Sequence, residues 1–133
     1  MAQLIDALFL VGRLLFGGFF LLSAYHHLFH AKGLIGYAQM KGVKAPALAV
    51  YGTGLLLLAG SILVLVGVYP LVGLGLLALF LVGVTPQMHA FWKLDDPMAR
   101  MGDQVMFQKN VALLGAALAL AVVETPWAFS LPV

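Results

Sequence analysis

The chain has 133 residues, is 63% hydrophobic and 9% charged, and has a mean hydropathy of +1.06. A water-soluble domain of this size carries far more charge, so the composition excludes one and describes a single polytopic membrane domain. The pI near 9.1 rests on only seven Lys and Arg, which excludes a nucleic-acid surface, and the lack of cysteine excludes disulfides, thiolate metal sites and dithiol exchange by this chain.

The first crossing is expected over residues 7–28, with Arg13 as its only charge. No Lys or Arg precedes it and no small-residue cleavage site follows, so it reads as a retained span rather than a removable signal. Residues 30–45 form a connection with a short interfacial helix over 34–40. The second crossing, 46–68, has no charge. Tyr69-Pro70 is a tight turn, which makes the third crossing, 71–88, antiparallel to the second. Pro86 bends or marks its end. In the next connection, Asp96-Pro97 followed by Gly102 has the cap, first-turn proline and stop of a short separate helix. The fourth crossing is 105–123. Asp103 is placed to cap its first turn, and Thr125-Pro126 to end it. Lys109 is close enough to that start to send its ammonium back to water along an apolar stem. Residues 105–123 make a helix of about 28 Å, the thickness of a bilayer's hydrocarbon. The expected fold is all-α: an integral membrane four-helix antiparallel bundle. Ten glycines in or beside the spans (Gly17, Gly18, Gly52, Gly54, Gly60, Gly67, Gly73, Gly75, Gly83 and Gly115) would let helices approach closely, within the chain or in a homo-oligomer.

Lys32, Lys41 and Lys44 lie in one long connection. Lys93 and Arg100 lie in the other, with Lys109 just beyond. The N-terminus, the Tyr69-Pro70 turn and the tail hold none, which places both long loops in the cytoplasm and both termini outside. Antiparallel threading then gathers His26, His27, His30, Gln87, His89, Asp103, Gln108, Lys109 and Asn110 at one membrane depth. His26 and His30 share a helix face at i, i+4. That spacing suits a metal, but HHLFH lacks the glutamate of HExxH. Interfacial hydrogen bonding is the preferred reading of this pair, and a metal site the minor alternative. His89, Asn110, Lys109 and His27 are the candidate ligand-binding residues. Arg13 lies too deep to stand unpaired. It shares a stripe with Gly17, Phe20, Ala24 and His27, while Asn110, Ala117, Ala121 and Glu124 share one on the last span. Both stripes should face inward, with Arg13 and Glu124 forming an ion pair between first and last helices; Asp6 is the competing partner, and holding an anionic or carbonyl group of a ligand is the alternative role for Arg13.

Four segments carry a resemblance: GRLLFGGFFLLSAYHHL, AKGLIGYAQMKGVKAP, LAGSILVLVG and MFQKNVALLGAAL. They resemble the DoxX family. The last is the most specific, similar to F-x-K-N-x-A-L-x-G-A through Phe107, Lys109, Asn110, Ala112, Leu113 and Gly115. The resemblance implies a small bacterial four-helix protein of the inner membrane, with relatives linked to membrane redox complexes. It also implies a glutamate early in the second span, whereas the place here, near Leu56, is leucine. The expected function is an accessory or anchor subunit of a quinone-linked redox complex, not catalytic by itself. Quinone is the expected cofactor, and membrane lipids and redox-complex subunits are the expected partners. A lipid- or small-molecule-binding or transport protein, or a purely structural subunit, are the other readings.

Overall fold

The structure is a computed structural model in which residues 1–132 are described. The four expected crossings are helices: α1 (Ala2–Phe29), α3 (Pro46–Val66), α4 (Pro70–Met88) and α5 (Pro97–Ala121). A short α2 (Ala31–Met40) lies between the first two. All four long helices are apolar enough to cross a bilayer. The 21 residues of α3 measure about 31 Å, one hydrocarbon thickness. The protein is a multi-pass membrane protein, an antiparallel helical bundle with no strand among its described residues.

Local chemistry sets the ends. Gly67 closes α3 in the left-handed conformation at φ 73°, where a side chain would be strained. Pro70 opens α4, where its missing N–H costs nothing. Pro86 lies inside α4 and does not end it. The start of the last helix differs from expectation. Asp96 is the cap, accepting from the Ala99 amide at 2.8 Å, and α5 runs unbroken from Pro97 through Gly102. No separate helix forms over 97–102, the short 3-10 turn of this connection lying at Phe91–Lys93, and Asp103 caps nothing. Glycine inside a helix is only mildly unfavourable, about 1 kcal/mol against alanine, so Gly102 does not stop a helix whose next residue is anchored elsewhere. Lys109 is therefore more than three turns from its helix start, not near it.

The helices pack in series: α1 along α3, α3 along α4, α4 along α5. Where α3 crosses α4, a Cβ on Gly60 would lie 3.0 Å from the Gly73 carbonyl, and one on Gly73 would lie 2.9 Å from the Gly60 carbonyl. Those two glycines set the spacing of the pair. Gly17 similarly admits Leu65, and Gly54 admits His27 and Leu28. Gly18, Gly52, Gly75, Gly83 and Gly115 face open space and serve no intrachain approach. The backbones of α1 and α5 do not run together. Long side chains close that seam in a core of Phe16, Phe20, Leu57, Leu77 and Ala117. After α5 the tail folds back over this end. Trp127 is buried, edge-on to Phe9 at 5.1 Å, and the Leu131 amide donates to the Val66 carbonyl at 2.9 Å.

Candidate functional site

At the end carrying the long loops, Asp103 of α5 is buried at 7% exposure and collects three partners from two other elements. Tyr37 on α2 and Lys41, the residue that caps its end, stand one turn apart and so reach the same point. The Tyr37 hydroxyl donates to Asp103 Oδ1 at 3.3 Å, and Lys41 Nζ donates to Oδ2. His89, at the end of α4, has Nδ1 3.4 Å from Oδ1. Gln87 adds a bond from its amide to the Lys41 carbonyl at 3.3 Å. Burial works against the Lys41 charge, but the hydrogen bond and charge of Asp103 outweigh it and hold the ammonium above its ordinary pKa. Burial, then the same carboxylate, raises the Tyr37 phenol.

Beside this cluster is a groove of about 310 Å³ under α2, walled by α3 and α4 and reached by the end of α1. Its surface is mostly apolar, including Leu56 and Phe80, with His27, Tyr37, Thr53 and Gln87 as its polar residues. Three of these are already engaged: Thr53 with the Ala49 carbonyl at 2.7 Å, Tyr37 with Asp103, and Gln87 with Lys41. His27 differs. Its Nδ1 lies 2.7 Å from the Ser23 carbonyl and donates there. In the neutral ring, that leaves Nε2 as a lone-pair acceptor. On the opposite flank of α4 is a second cavity of about 240 Å³, on which Asn110 stands.

The four expected ligand residues thus share one half of the bundle but have four separate surroundings. His27 borders the groove, His89 belongs to the Asp103 cluster, and Asn110 borders the second cavity. Lys109 lies outside all of these, its Nζ 3.4 Å from Met106 sulfur and 5.5 Å over the Phe19 ring. They do not form one donor set. His26 and His30 are exposed with ring centroids 6.0 Å apart, both beside Tyr25. Among the described residues there is no group of three or more metal-ligating side chains. The Asp103 cluster was the grouping the sequence concealed. The i, i+4 spacing of Tyr37 and Lys41 was its one readable sign.

The expected Arg13–Glu124 ion pair does not form. Arg13 is buried at 1% exposure and donates to the carbonyls of Ala128 and Phe129 at 3.0 and 3.1 Å, with the Trp127 ring 6.0 Å away. Glu124 is exposed. The tail turns back past it and brings main-chain oxygens to the guanidinium first.

A membrane bundle of four crossings, with one groove under an interfacial helix and a polar cluster at its rim, defines a small multi-pass helical membrane protein. The chain belongs to the DoxX family, whose model matches residues 8–90, from α1 to just past the end of α4. No curated protein and no solved structure matches it.

Proposed function

We propose that this protein is an accessory subunit of a membrane redox assembly that holds a membrane quinone, in its reduced quinol form, in the groove under α2. The observation that supports this reading is the groove itself. Its volume of about 310 Å³ falls at the lower end of small-molecule sites. It is apolar enough for a prenyl tail and has one unengaged polar group, His27 Nε2. A quinol hydroxyl donates to that nitrogen. The Ser23 carbonyl holds the Nδ1 proton on the ring, so Nε2 is the atom left to accept. This assigns the head-group role to His27 rather than to His89, Lys109 and Asn110. The protein supplies binding and placement, and its partner supplies the redox centre. The membrane is the bacterial inner membrane, with the Lys- and Arg-bearing loops in the cytoplasm.

The test is purification in mild detergent, solvent extraction and mass spectrometry. Quinone should accompany the wild-type protein. It should fall about 3- to 10-fold in His27→Leu, the usual worth of one hydrogen bond. It should be absent from Gly83→Trp, because Gly83 borders the groove and faces open space. An extract holding phospholipid and no quinone would replace this reading with the lipid-binding one, which the mostly apolar lining also favours.

A further inference from the structure

Asn110 is another polar side chain on a crossing helix, and it stands apart from the groove. It is 7% exposed, and its side chain makes no hydrogen bond to any described residue. An amide at that depth without a partner is unfavourable. It borders the cavity of about 240 Å³ between α4 and α5. The hydrogen-bond ladder of the helix beside this space is interrupted for a covalent reason. Pro86 has no N–H, so the Val82 carbonyl one turn before it has no helical donor from that position. Val82 and Pro86 both border the cavity. The hydroxyl of Thr85 is spent on the Leu81 carbonyl. The remaining walls include Trp92 and Phe107, with ring centroids 5.8 Å apart and planes at 82°.

We infer that this cavity is a second small-molecule site, for a single lipid-soluble ring bearing a hydroxyl or carbonyl, with Asn110 as its polar anchor. The site is separate from the groove, and the inference does not rest on the quinone reading. Size limits the occupant. The cavity is smaller than the roughly 300–1,000 Å³ of drug-sized sites, so it takes one ring and not a fused or branched ligand. Chemistry limits it further. Asn110 offers both a donor and an acceptor, so its amide can meet a phenolic hydroxyl in either role. An acyl chain would leave that amide unmet. Two perpendicular aromatic walls favour a flat ring, face to one and edge to the other.

The experiment uses the whole protein in detergent micelles and two fluorinated probes of nearly equal size, 4-fluorophenol and 4-fluorotoluene, followed by ¹⁹F NMR. The readout is saturable binding above partition into empty micelles. The phenol should bind the wild-type protein about 3- to 10-fold tighter than the toluene, the contribution of a hydrogen bond made in place of an unmet one. Asn110→Leu should abolish that preference while still binding the toluene. Val111→Trp, at an exposed position on the cavity's border, should exclude both. No saturable binding to wild type, equal binding of both probes, or a preference that survives Asn110→Leu would each overturn the inference. The wild-type comparison needs no variant to fold.

Discussion

Arg13 illustrates how a buried charge can be held without a countercharge. Its guanidinium has a fixed fork of donors, and two successive carbonyls of a turned tail take one terminal nitrogen each, while buried Nε has no partner among the described residues. Carbonyls carry no sequence signature, which is why Glu124, the nearest acid by depth, was the legible partner and the wrong one. The consequence is specific. Arg13→Leu should release the tail and cost about 1–2 kcal/mol, a middling value because deleting a buried charge also removes its desolvation penalty. Glu124→Gln should fall within about 0.5 kcal/mol of wild type. Limited chymotrypsin digestion reads the difference at Trp127 and Phe129. Cleavage should accelerate in the first variant alone, and equal acceleration in both would restore the ion pair.

Among the elements, α5 departs furthest from what its residues announce. The four apolar runs, the Tyr69-Pro70 reversal and the interfacial α2 were readable, because hydropathy and proline chemistry act locally. The start of α5 was not. Asp96-Pro97 and Gly102 are ambiguous until Asp103 is known to be held by α2, a contact between residues 62 apart in sequence. His27 and Asn110 were recognisable as polar groups in apolar surroundings. Their separation by α4 was not, since it depends on which way each helix is turned. The α2–α5 tether also has a pH signature. Lys41 and Tyr37 both have raised folded pKa values. Their contribution is therefore fully present below the unfolded values of about 10 and is lost as pH rises through the folded ones. A thermal-unfolding series should show stability falling on the alkaline side of about pH 10. Asp103→Asn should flatten that fall and cost about 1.5–3 kcal/mol at neutral pH, the range for a hydrogen bond to a charged group. It should lie near the lower end, since the Lys41 side chain is 21% exposed. An unchanged alkaline limb would show that the tether contributes nothing there.

At the scale of the molecule, the distribution of charge predicts an orientation. Lys32, Lys44, Lys93 and Arg100 are exposed at one end, and Glu124 is exposed at the other. Because the chain has no cysteine, single replacements report sidedness without interference. With a membrane-impermeant maleimide on intact spheroplasts, Glu124→Cys should label directly, and Lys44→Cys and Arg100→Cys only after lysis. The reverse pattern would invert the orientation. The two recesses on either flank of α4 share one further property. Their borders include Leu79, Val82 and Val111, side chains at 62%, 58% and 52% exposure on crossing helices, so both mouths open sideways into oil. A guest arrives by dissolving in the bilayer first, and its occupancy tracks its mole fraction there. Diluting such a preparation with empty lipid should strip the guest away, whereas diluting it with buffer should leave a strongly lipophilic guest in place.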